Sequence, residues 1–538
     1  MSVFEGRAIL VDVFERQTAS ESRSLEPVRD SVGMEAEGMQ RSQERQFGVS
    51  LNEQFPTAQV FGAKEIRVGS CCSDAKQCQK GDVYVALVDE DRDGHDAACE
   101  AIRHGASAVL SERFLPVNVP ICVVDDTRVA YGQLCQRLAG QPAEALHTIG
   151  VTGTNGKTTT SLLIASVLDA AQQQVGVTST LGYSDSIDNL PANRTTPLAA
   201  EMASLLRRMQ TNGCSHVVME LSSRGLAEQR TAGIQFDAAI LTNLRRDHLN
   251  VHGSVRNYRR AKARLFEQLK PTGFAVVNAD DPGSQNVLSR LTCPVITVGQ
   301  RQAAEVTAHV LERHASEQTF LLRAGNESIP VRTQMIGDTH VSNCLSATAM
   351  GLVMGLDLPT IVRGLEAVKR IPSRLDRLSC GQDFGVYVDC ADTPDRLAVC
   401  LRTMRQVTRG RVLCVYSASD ELPANERPLL GRVAERAVDV GIVTNSSLHC
   451  EPSLCVTHDI LDGYERPARA HAIPSRINAI QWALDKARPG DSLLIAGGSR
   501  TGWLGEETQG TDDFELARNW LYEFGDNPGP QILTGAFG

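Results

Sequence analysis

The 538-residue sequence has no surplus of positive charge, since 54 lysines and arginines stand against 64 aspartates and glutamates. The resulting net charge of -10 gives no electrostatic footprint for nucleic acid or for an anionic membrane surface. No apolar run reaches the roughly 18 residues that cross a bilayer. We therefore expect no nucleic-acid partner and no membrane insertion.

The sequence also has no C-x-x-C pair and no cysteine spacing typical of a zinc site, although it contains 15 cysteines. Only Cys71, Cys72 and Cys78 come close to one another along the chain. An odd number of cysteines without a secretory signal favours buried or free thiols in a reducing compartment over a disulfide framework. We therefore expect a cytoplasmic protein.

Length and composition predict a globular protein of several domains. A domain contains roughly 100 to 200 residues, so the chain should form about three. Apolar residues make up 42% of the chain and charged residues 22%, which excludes wholesale disorder and fibrous classes. Residues 1–50 lack sustained periodicity and predict a disordered tail, and residues 526–538 are predicted to form a second tail.

Between the tails, short apolar runs alternate with helical stretches, which predicts an α/β fold of three domains. Residues 51–147 predict a small N-terminal α/β domain. Residues 148–369 predict a central P-loop-type ATPase domain with a parallel sheet, and residues 370–525 a C-terminal Rossmann-like domain. Strands are predicted in the central domain at 148–151, 216–221, 238–242 and 274–278. Each run stops at a polar residue, as expected where buried parallel strands open into functional loops.

The segment I-G-V-T-G-T-N-G-K-T-T at 149–159 joins an apolar strand to an apolar helix. Glycines let backbone N–H groups face phosphate oxygens, Lys157 can neutralise phosphate charge, and the Thr158 hydroxyl can hold Mg²⁺. Val151 occupies the first glycine position of the general pattern, so a simple glycine-rich turn with an ordinary lysine is the alternative. The segment predicts ATP binding by Gly153, Thr154, Asn155, Gly156, Lys157, Thr158 and Thr159.

Three further residues favour a metal and phosphate site beside this loop. Glu220 ends a predicted strand, and a carboxylate there could complete a magnesium site in a parallel sheet. His248 and Lys262 follow in the segments at 242–249 and 258–266. Alone, the histidine or the lysine would be interpreted as a solvated surface group. Together with the loop, the three favour a functional role.

These motifs resemble the Mur ligase family, and within it the enzymes that add the third residue to the peptidoglycan precursor UDP-N-acetylmuramoyl-L-alanyl-D-glutamate. The resemblance runs from about residue 60 to 525. The related folylpolyglutamate synthases share the ATP loop but would not explain the first domain or the T-T-P motif. The resemblance is carried by G-H-D at 94–96, the phosphate loop, N-R-T-T-P at 193–197, E-L-S-S at 220–223, T-N-L-x-R-D-H-L at 242–249, A-K-A-R-L-F at 261–266, N-A-D-D at 278–281 and V-S-N at 341–343.

The resemblance implies an ATP-dependent amide ligase that forms an acyl phosphate, which an amino group then attacks. Its partners would be the UDP-N-acetylmuramoyl-dipeptide and an amino acid, and we expect a monomer. The implied catalytic residues are Lys157, Glu220, His248 and Lys262. The implied Mg²⁺ ligands are Thr158, Glu220, His248 and a carbamylated Lys262. Further ATP contacts would come from Asn343, Arg374 and Asp389, and contacts to the UDP precursor from Thr195, Thr196, Ser222 and Arg230.

The sequence departs from the family pattern mainly in the last domain. The motif D-Y-A-H-T-P becomes D-C-A-D-T-P at 389–394, so Asp392 replaces a histidine. Leu422 stands where the family has an arginine that contacts diaminopimelate, which removes a bidentate partner for a second carboxylate. Arg224 replaces a histidine and Glu228 a glutamine. Two main hypotheses remain: an amide ligase of muramoyl-peptide synthesis, with the usual or an altered amino-acid choice, and a non-catalytic or regulatory relative that still binds ATP or the UDP precursor. A ligase for a different acid substrate is a third.

Overall fold

The computed structural model describes residues 48–89, 92–245, 249–419, 422–445, 453–498 and 512–524. The two predicted tails lie outside these residues, except for residues 48–50. His248 also lies outside them. Within the described part of the chain, no helix is long and apolar enough to cross a membrane.

The N-terminal region forms a small α/β layer. Its sheet has the order β2-β7-β6-β5-β4, in which the neighbours are parallel except for the antiparallel pair β2 and β7. Val49 and Ser50 pair with residues 67 and 68, so ordered structure begins before residue 51. The elements are β1 Val49–Ser50, α1 Leu51–Gln54, β2 Gln59–Phe61, β3 Arg67–Val68, β4 Cys71–Cys72, β5 Val83–Val85, α2 Ala98–His104, β6 Ala108–Ser111, β7 Ile121–Val123 and α3 Thr127–Leu138.

The central region is built on a larger mixed sheet of order β11-β10-β9-β12-β8-β13-β14-β15-β16-β17-β18. The elements are β8 His147–Thr152, α4 Lys157–Ala170, β9 Val175–Ser179, β10 Gly182–Ser184, β11 Asn189–Leu190, α5 Ala199–Thr211, β12 His216–Glu220, α6 Ser223–Ala227, β13 Phe236–Leu241, α7 Leu249–His252, α8 Val255–Glu267, β14 Leu269–Asn278, α9 Pro282–Leu288, β15 Val295–Gly299, β16 Val306–Arg313, β17 Gln318–Ala324, β18 Glu327–Thr333, α10 Asp338–Val353 and α11 Leu358–Ala367.

The middle of this sheet is parallel from β9 to β16, and antiparallel pairs extend it at both edges. Its strands are rich in Val, Ile and Ala because both faces are covered. Helix α4 is buried along most of its length, since 11 of its 14 residues are buried. Leu163, Ile164 and Val167 of α4 belong to the same buried cluster as β8, α10 and α11. The helix that follows the phosphate loop is therefore fixed in the core.

The C-terminal region forms a third sheet of order β19-β20-β24-β21-β22-β23, parallel except for β19. Separate apolar clusters cover its two faces. The three sheets confirm the predicted α/β fold class. The elements are β19 Asp376–Leu378, β20 Gly385–Asp389, α12 Pro394–Val407, β21 Val412–Tyr416, α13 Arg427–Ala437, β22 Val440–Val443, α14 Ser453–Leu461, β23 Ala470–Ala472, α15 Arg476–Lys486, β24 Ser492–Ala496 and α16 Asp513–Phe524.

Candidate active site

The predicted phosphate loop lies between the end of β8 and the first turn of α4. Gly153 and Gly156 have φ angles of 149° and 86°, a region that favours glycine. A Cβ atom on Gly153 would overlap Thr242 Oγ1, and one on Gly156 would overlap Asn343 Oδ1. Both glycines are therefore required by the backbone conformation and by close polar neighbours.

Asn243 braces the loop from the neighbouring strand β13. The Asn155 N–H donates to Asn243 Oδ1 over 2.9 Å, and Asn243 Nδ2 donates back to the Asn155 carbonyl over 2.9 Å. The Thr154 N–H donates to the Asn243 carbonyl over 2.9 Å. The sequence motif at 242–249 includes Asn243, but sequence reasoning gave this residue no role. Asn243 follows a strand that neighbours β8, and this position could have indicated that it contacts the loop.

The cationic side chain of the loop lies against the loop itself. Lys157 Nζ donates to the carbonyl oxygens of Gly153 and Thr154 over 3.1 and 3.0 Å. Thr158 and Thr159 follow in the first turn of α4, and both are buried. A positive charge and a helix N-terminus thus meet at one point, and both features favour anion binding.

Glu220 ends β12, which is hydrogen-bonded to β8, so its carboxylate lies beside the loop as the sequence predicted. It is 1% exposed. Glu220 Oε1 accepts from Thr158 Oγ1 over 3.1 Å and from Thr180 Oγ1 over 3.0 Å, and Oε2 accepts from the Thr180 N–H over 2.9 Å. A buried carboxylate next to a threonine hydroxyl is a hard-oxygen donor set that fits Mg²⁺.

Lys262 reaches the same loop from α8 and is 2% exposed. Its Nζ donates to the Gly153 carbonyl over 2.7 Å and lies 4.9 Å from the centre of the Tyr258 ring. The Tyr258 hydroxyl in turn hydrogen-bonds to Thr154 Oγ1 over 2.8 Å. Lys157 and Lys262 therefore contact the same carbonyl, and Tyr258 is a further neighbour that sequence reasoning missed.

The C-terminal region contributes Arg374, whose Nη2 donates to Thr158 Oγ1 over 3.0 Å. The residues on either side, Ser373 and Leu375, have positive φ angles of 55° and 45°. The Leu375 N–H donates to Asp389 Oδ2 over 2.8 Å, which holds this strained turn. Burial raises the pKa of Asp389 above its ordinary value, although the nearby Arg374 guanidinium opposes the rise.

A cavity of about 410 Å³ lies next to the loop, between the central and C-terminal regions. Asn243, Asn278 and Asn343 line it on one side, and Arg402 and Gln406 of α12 on the other. Its lining is therefore rich in side chains that donate and accept hydrogen bonds.

One further contact links the two regions at the mouth of the loop. Asp395, at the start of α12, accepts from Asn155 Nδ2 over 2.8 Å and from Arg245 Nη1 over 3.2 Å. Sequence reasoning missed Asp395, because this contact joins residues about 240 positions apart.

The residues predicted to bind the UDP precursor lie close to Glu220. Thr196 is fully buried, and its hydroxyl donates to the Glu220 carbonyl over 3.2 Å and accepts from the Ser222 N–H over 2.9 Å. Ser222 caps α6 by accepting from the Gly225 N–H over 3.0 Å. Thr195 Oγ1 lies 3.0 Å from Thr180 Oγ1. The structure thus brings Thr195, Thr196 and Ser222 together near the carboxyl end of β12.

Arg230 joins this group but is engaged by an ion pair. Its Nη1 donates to the Thr196 carbonyl over 2.7 Å, while Nε and Nη2 donate to Glu228 Oε2 over 2.8 and 2.6 Å. Arg224 Nε donates to the other Glu228 oxygen over 2.7 Å. Burial raises the pKa of Glu228, but the two arginines outweigh it and hold the pKa below its ordinary value. Glu228 is therefore an anion that competes for Arg230.

Two of the departures in the C-terminal region are also explained by local packing. Leu422 is 5% exposed and belongs to the apolar cluster on one face of the third sheet, together with Leu430 and Val443. Its side chain is part of the core and offers no anchor to an anion. Asp392, which replaces a histidine, is paired with Arg396 over 3.1 Å.

Comparison with known proteins identifies the family to which the chain is similar. The chain matches the models described as Mur ligase middle domain, over residues 151–351, and Mur ligase, glutamate ligase domain, over residues 373–499. It is 35% identical over 460 residues to the UDP-N-acetylmuramoyl-L-alanyl-D-glutamate--2,6-diaminopimelate ligase of Geobacillus kaustophilus, covering 84% of this chain and 92% of that protein. The enzyme of the same name from Syntrophomonas wolfei is 32% identical over 481 residues, covering 88% and 96%.

Solved structures agree with the sequence relatives. A UDP-N-acetylmuramoyl-L-alanyl-D-glutamate--2,6-diaminopimelate ligase superposes with a TM-score of 0.65 at 27% identity and covers 88% of this chain and 99% of its own. The MurF ligase of Thermotoga maritima in complex with ADP superposes with a TM-score of 0.60 at 18% identity, over 84% and 98% of the two chains. The second likeness concerns the fold alone. The chain therefore belongs to the Mur ligase family of ATP-dependent ligases, as its motifs predicted.

Proposed function

We propose that this protein adds an amino acid to UDP-N-acetylmuramoyl-L-alanyl-D-glutamate by forming an amide bond, as the third-residue step of peptidoglycan precursor synthesis. The observation that carries the proposal is the convergence of charged and hydroxyl side chains on one phosphate loop. They come from two regions of the chain and are Lys157, Thr158, Glu220, Lys262 and Arg374.

The proposed reaction has two steps, phosphoryl transfer to the substrate carboxylate and amide formation. An oxygen of the substrate carboxylate bonds to the γ-phosphorus of ATP, and the bond to ADP breaks, which gives an acyl phosphate. The amino group of the incoming amino acid then attacks the acyl carbon, loses a proton, and expels inorganic phosphate. Two anionic reactants must approach each other, so groups that stabilise negative charge lower the barrier.

The residues around the loop suit that task. Lys157 would stabilise charge on the transferring phosphoryl group, and Arg374 approaches the same point from the C-terminal region. Thr158 and Glu220 would hold Mg²⁺, with His248 and a carbamylated Lys262 as the further ligands implied by the family resemblance. The ion would supply positive charge at the phosphate oxygens. The adjacent 410 Å³ cavity has the room and the polar lining to receive the nucleoside part of ATP.

The UDP precursor would lie across the opposite edge of the site. We propose that residues 51–147 hold its UDP end and that Thr195, Thr196 and Ser222 position its peptide end. These hydroxyl groups border Glu220, so a carboxylate bound beside them would face the phosphate loop. Arg230 would contact an anionic group of the precursor once Glu228 moves aside.

Leu422 bears on which amino acid the protein would accept. The relatives are named as diaminopimelate ligases, but the position of the diaminopimelate-contacting arginine is the buried Leu422 in this chain. A second carboxylate of the amino acid would find no guanidinium there. We therefore propose an amino acid without a second acidic group.

The packing of Leu422 and the Asp392–Arg396 pair also favours a second candidate function. A chain that lost the amino-acid contacts but kept the phosphate loop could bind ATP or the UDP precursor without turnover. This alternative predicts nucleotide binding and no amide product with any amino acid.

ADP release separates the two functions. The full-length protein is incubated with ATP, Mg²⁺, the UDP-muramoyl-dipeptide and each amino acid of a panel that includes lysine and diaminopimelate. We expect release with at least one neutral-side-chain or basic amino acid, and its loss in Lys157→Ala. Lys270→Ala is the matched control, because Lys270 pairs with Asp237 over 2.8 Å near the amino-terminal ends of β14 and β13, whereas the loop follows the carboxyl end of β8. ATP binding without release for every amino acid would favour the non-catalytic relative.

A further inference from the structure

Three metal-ligating side chains converge in the N-terminal region, away from the phosphate loop. The sulfur atoms of Cys72 and Cys78 and a carboxylate oxygen of Asp82 all lie within 4.8 Å of one another. The three residues are 1%, 6% and 6% exposed. Their sequence spacing is not that of a zinc motif. The fold brings them together because β4 pairs with β5 in parallel and the connecting loop returns to the end of β4.

The carboxylate in this cluster is buried, and the described residues that hydrogen-bond to it are neutral. Asp82 accepts hydrogen bonds from the Ser70 hydroxyl and, over 2.8 Å, from the Gln79 N–H, and both donors are neutral. No ion pair recorded for the described residues includes Asp82. A buried carboxylate usually has a charged partner or a metal ion, because removing its charge from water is costly.

The two thiols differ in acidity. The neighbouring Cys78 side chain lowers the pKa of Cys72, while Cys72 and burial raise the pKa of Cys78. While it is protonated, Cys72 Sγ donates to the Asp74 carbonyl oxygen over 3.1 Å. The thiolate is the form that binds metal ions.

We propose that Cys72, Cys78 and Asp82 form a binding site for a thiophilic divalent cation such as Zn²⁺. Tetrahedral bonds of about 2.3 Å to sulfur would place the two sulfur atoms roughly 3.8 Å apart, so the sulfur atoms need to approach each other by no more than about 1 Å. Binding releases the two thiol protons to solvent. The cluster keeps a net charge of -1, and the carboxylate gains a direct bond to a cation. Water would fill the fourth position.

The site would close the loop at residues 73–77 between two of its ligands. This loop contains Asp74, whose carbonyl accepts from Cys72. Metal binding should therefore stiffen this loop and stabilise the N-terminal region. Metal binding at this site does not require turnover, so it can be tested separately from the proposed ligase function.

Cobalt is the probe, because Co²⁺ bound by thiolates has a charge-transfer band that oxygen-bound Co²⁺ at a phosphate site does not have. The full-length, reduced protein is titrated with Co²⁺ alone, and the bound Co²⁺ is then displaced with Zn²⁺. We expect the thiolate band to saturate at one equivalent of Co²⁺. The band should be lost in Cys72→Ser and in Cys78→Ser. Cys71→Ala is the matched control, since Cys71 faces the other side of β4 and lies 3.7 Å from Cys135. Lys157→Ala should also keep the band.

A second measurement uses only the unmodified protein, in case the cysteine variants do not fold. Zn²⁺ should slow alkylation of Cys72 and Cys78, measured by mass spectrometry of peptides, and leave the exposed Cys99 unaffected. The proposal is wrong if the native protein gives no thiolate band, if alkylation is independent of Zn²⁺, or if the two cysteines are recovered from air-exposed protein as a disulfide that Zn²⁺ does not prevent.

Discussion

Arg374 Nη2 donates to Thr158 Oγ1 over 3.0 Å, and the same hydroxyl donates to Glu220 Oε1 over 3.1 Å. This chain of contacts joins the C-terminal region to the end of β12 through the residue predicted to hold Mg²⁺. The C-terminal region therefore contributes a guanidinium to the loop as well as four of the residues that line the neighbouring cavity.

Arg374→Ala should lower turnover by about a hundredfold, because a preorganised cation at a transferring phosphoryl group is removed. Arg374→Lys should keep part of the activity, since it retains the charge but not the planar guanidinium. Steady-state kinetics with ATP as the varied substrate measures both. Arg405→Ala, which removes a pair with Asp439 in the same region, is the control for folding. Equal activity in Arg374→Ala and Arg405→Ala would contradict the assigned role.

Lys262→Ala should abolish most turnover, and a short carboxylate such as acetate should restore part of it. The reason is that a carbamylated lysine is an anion, which a small carboxylate can replace in the space left by alanine. Lys270→Ala should neither lose activity nor respond to acetate. Full activity in Lys262→Ala, or a loss that no carboxylate relieves, would argue against carbamylation.

Glu228→Gln should tighten binding of the UDP precursor. Glu228 now occupies two nitrogen atoms of Arg230, and an anionic ligand must compete with it. Removing the charge while keeping the side-chain shape should lower the Kd by about tenfold. Calorimetry measures the Kd, and Glu317→Gln, which removes an exposed pair with Arg332, is the control. Weaker binding in Glu228→Gln would mean that Glu228 orients Arg230 for the precursor.

The protein should lose stability on acidification, partly through His340. Burial lowers the pKa of His340 from 6.5 to about 4. As pH falls through 6.5 the unfolded chain binds this proton first, so the free energy of unfolding declines between pH 6.5 and 4, by up to about 3 kcal/mol. Denaturant unfolding should give a shallower pH dependence for His340→Leu. Cys344→Ala, beside the ring at 3.4 Å, should keep the original dependence. Parallel curves for all three proteins would exclude this role.

The phosphate loop and Glu220 could be predicted from sequence because both depend on local rules. A glycine-rich turn between a strand and a helix sets the loop, and the polar ends of adjacent parallel strands set Glu220. The predicted strand at 216–221 is observed as His216–Glu220. Such elements are determined by neighbouring residues and by apolar runs.

Other parts of the site depend on contacts between distant segments, which a single sequence does not reveal. Asn243, Tyr258 and Asp395 act on the loop from β13, α8 and α12, and only the folded arrangement brings them there. The convergence of Cys72, Cys78 and Asp82 likewise follows from strand pairing rather than from spacing. The antiparallel strands at the edges of the central sheet were also not predicted. Strands β16 to β18 are half-exposed, a weaker pattern than a buried apolar run, and β10 and β11 have only three and two residues.

The most direct test of the central claim is detection of the product by mass spectrometry. The protein is supplied with ATP, Mg²⁺, UDP-N-acetylmuramoyl-L-alanyl-D-glutamate and a mixture of amino acids. We predict one new UDP-linked species, heavier than the precursor by one amino-acid residue, formed with an equal amount of ADP and absent in Lys157→Ala. Unchanged precursor with every amino acid, in protein that still binds ATP, would contradict the assignment of this chain as an active ligase.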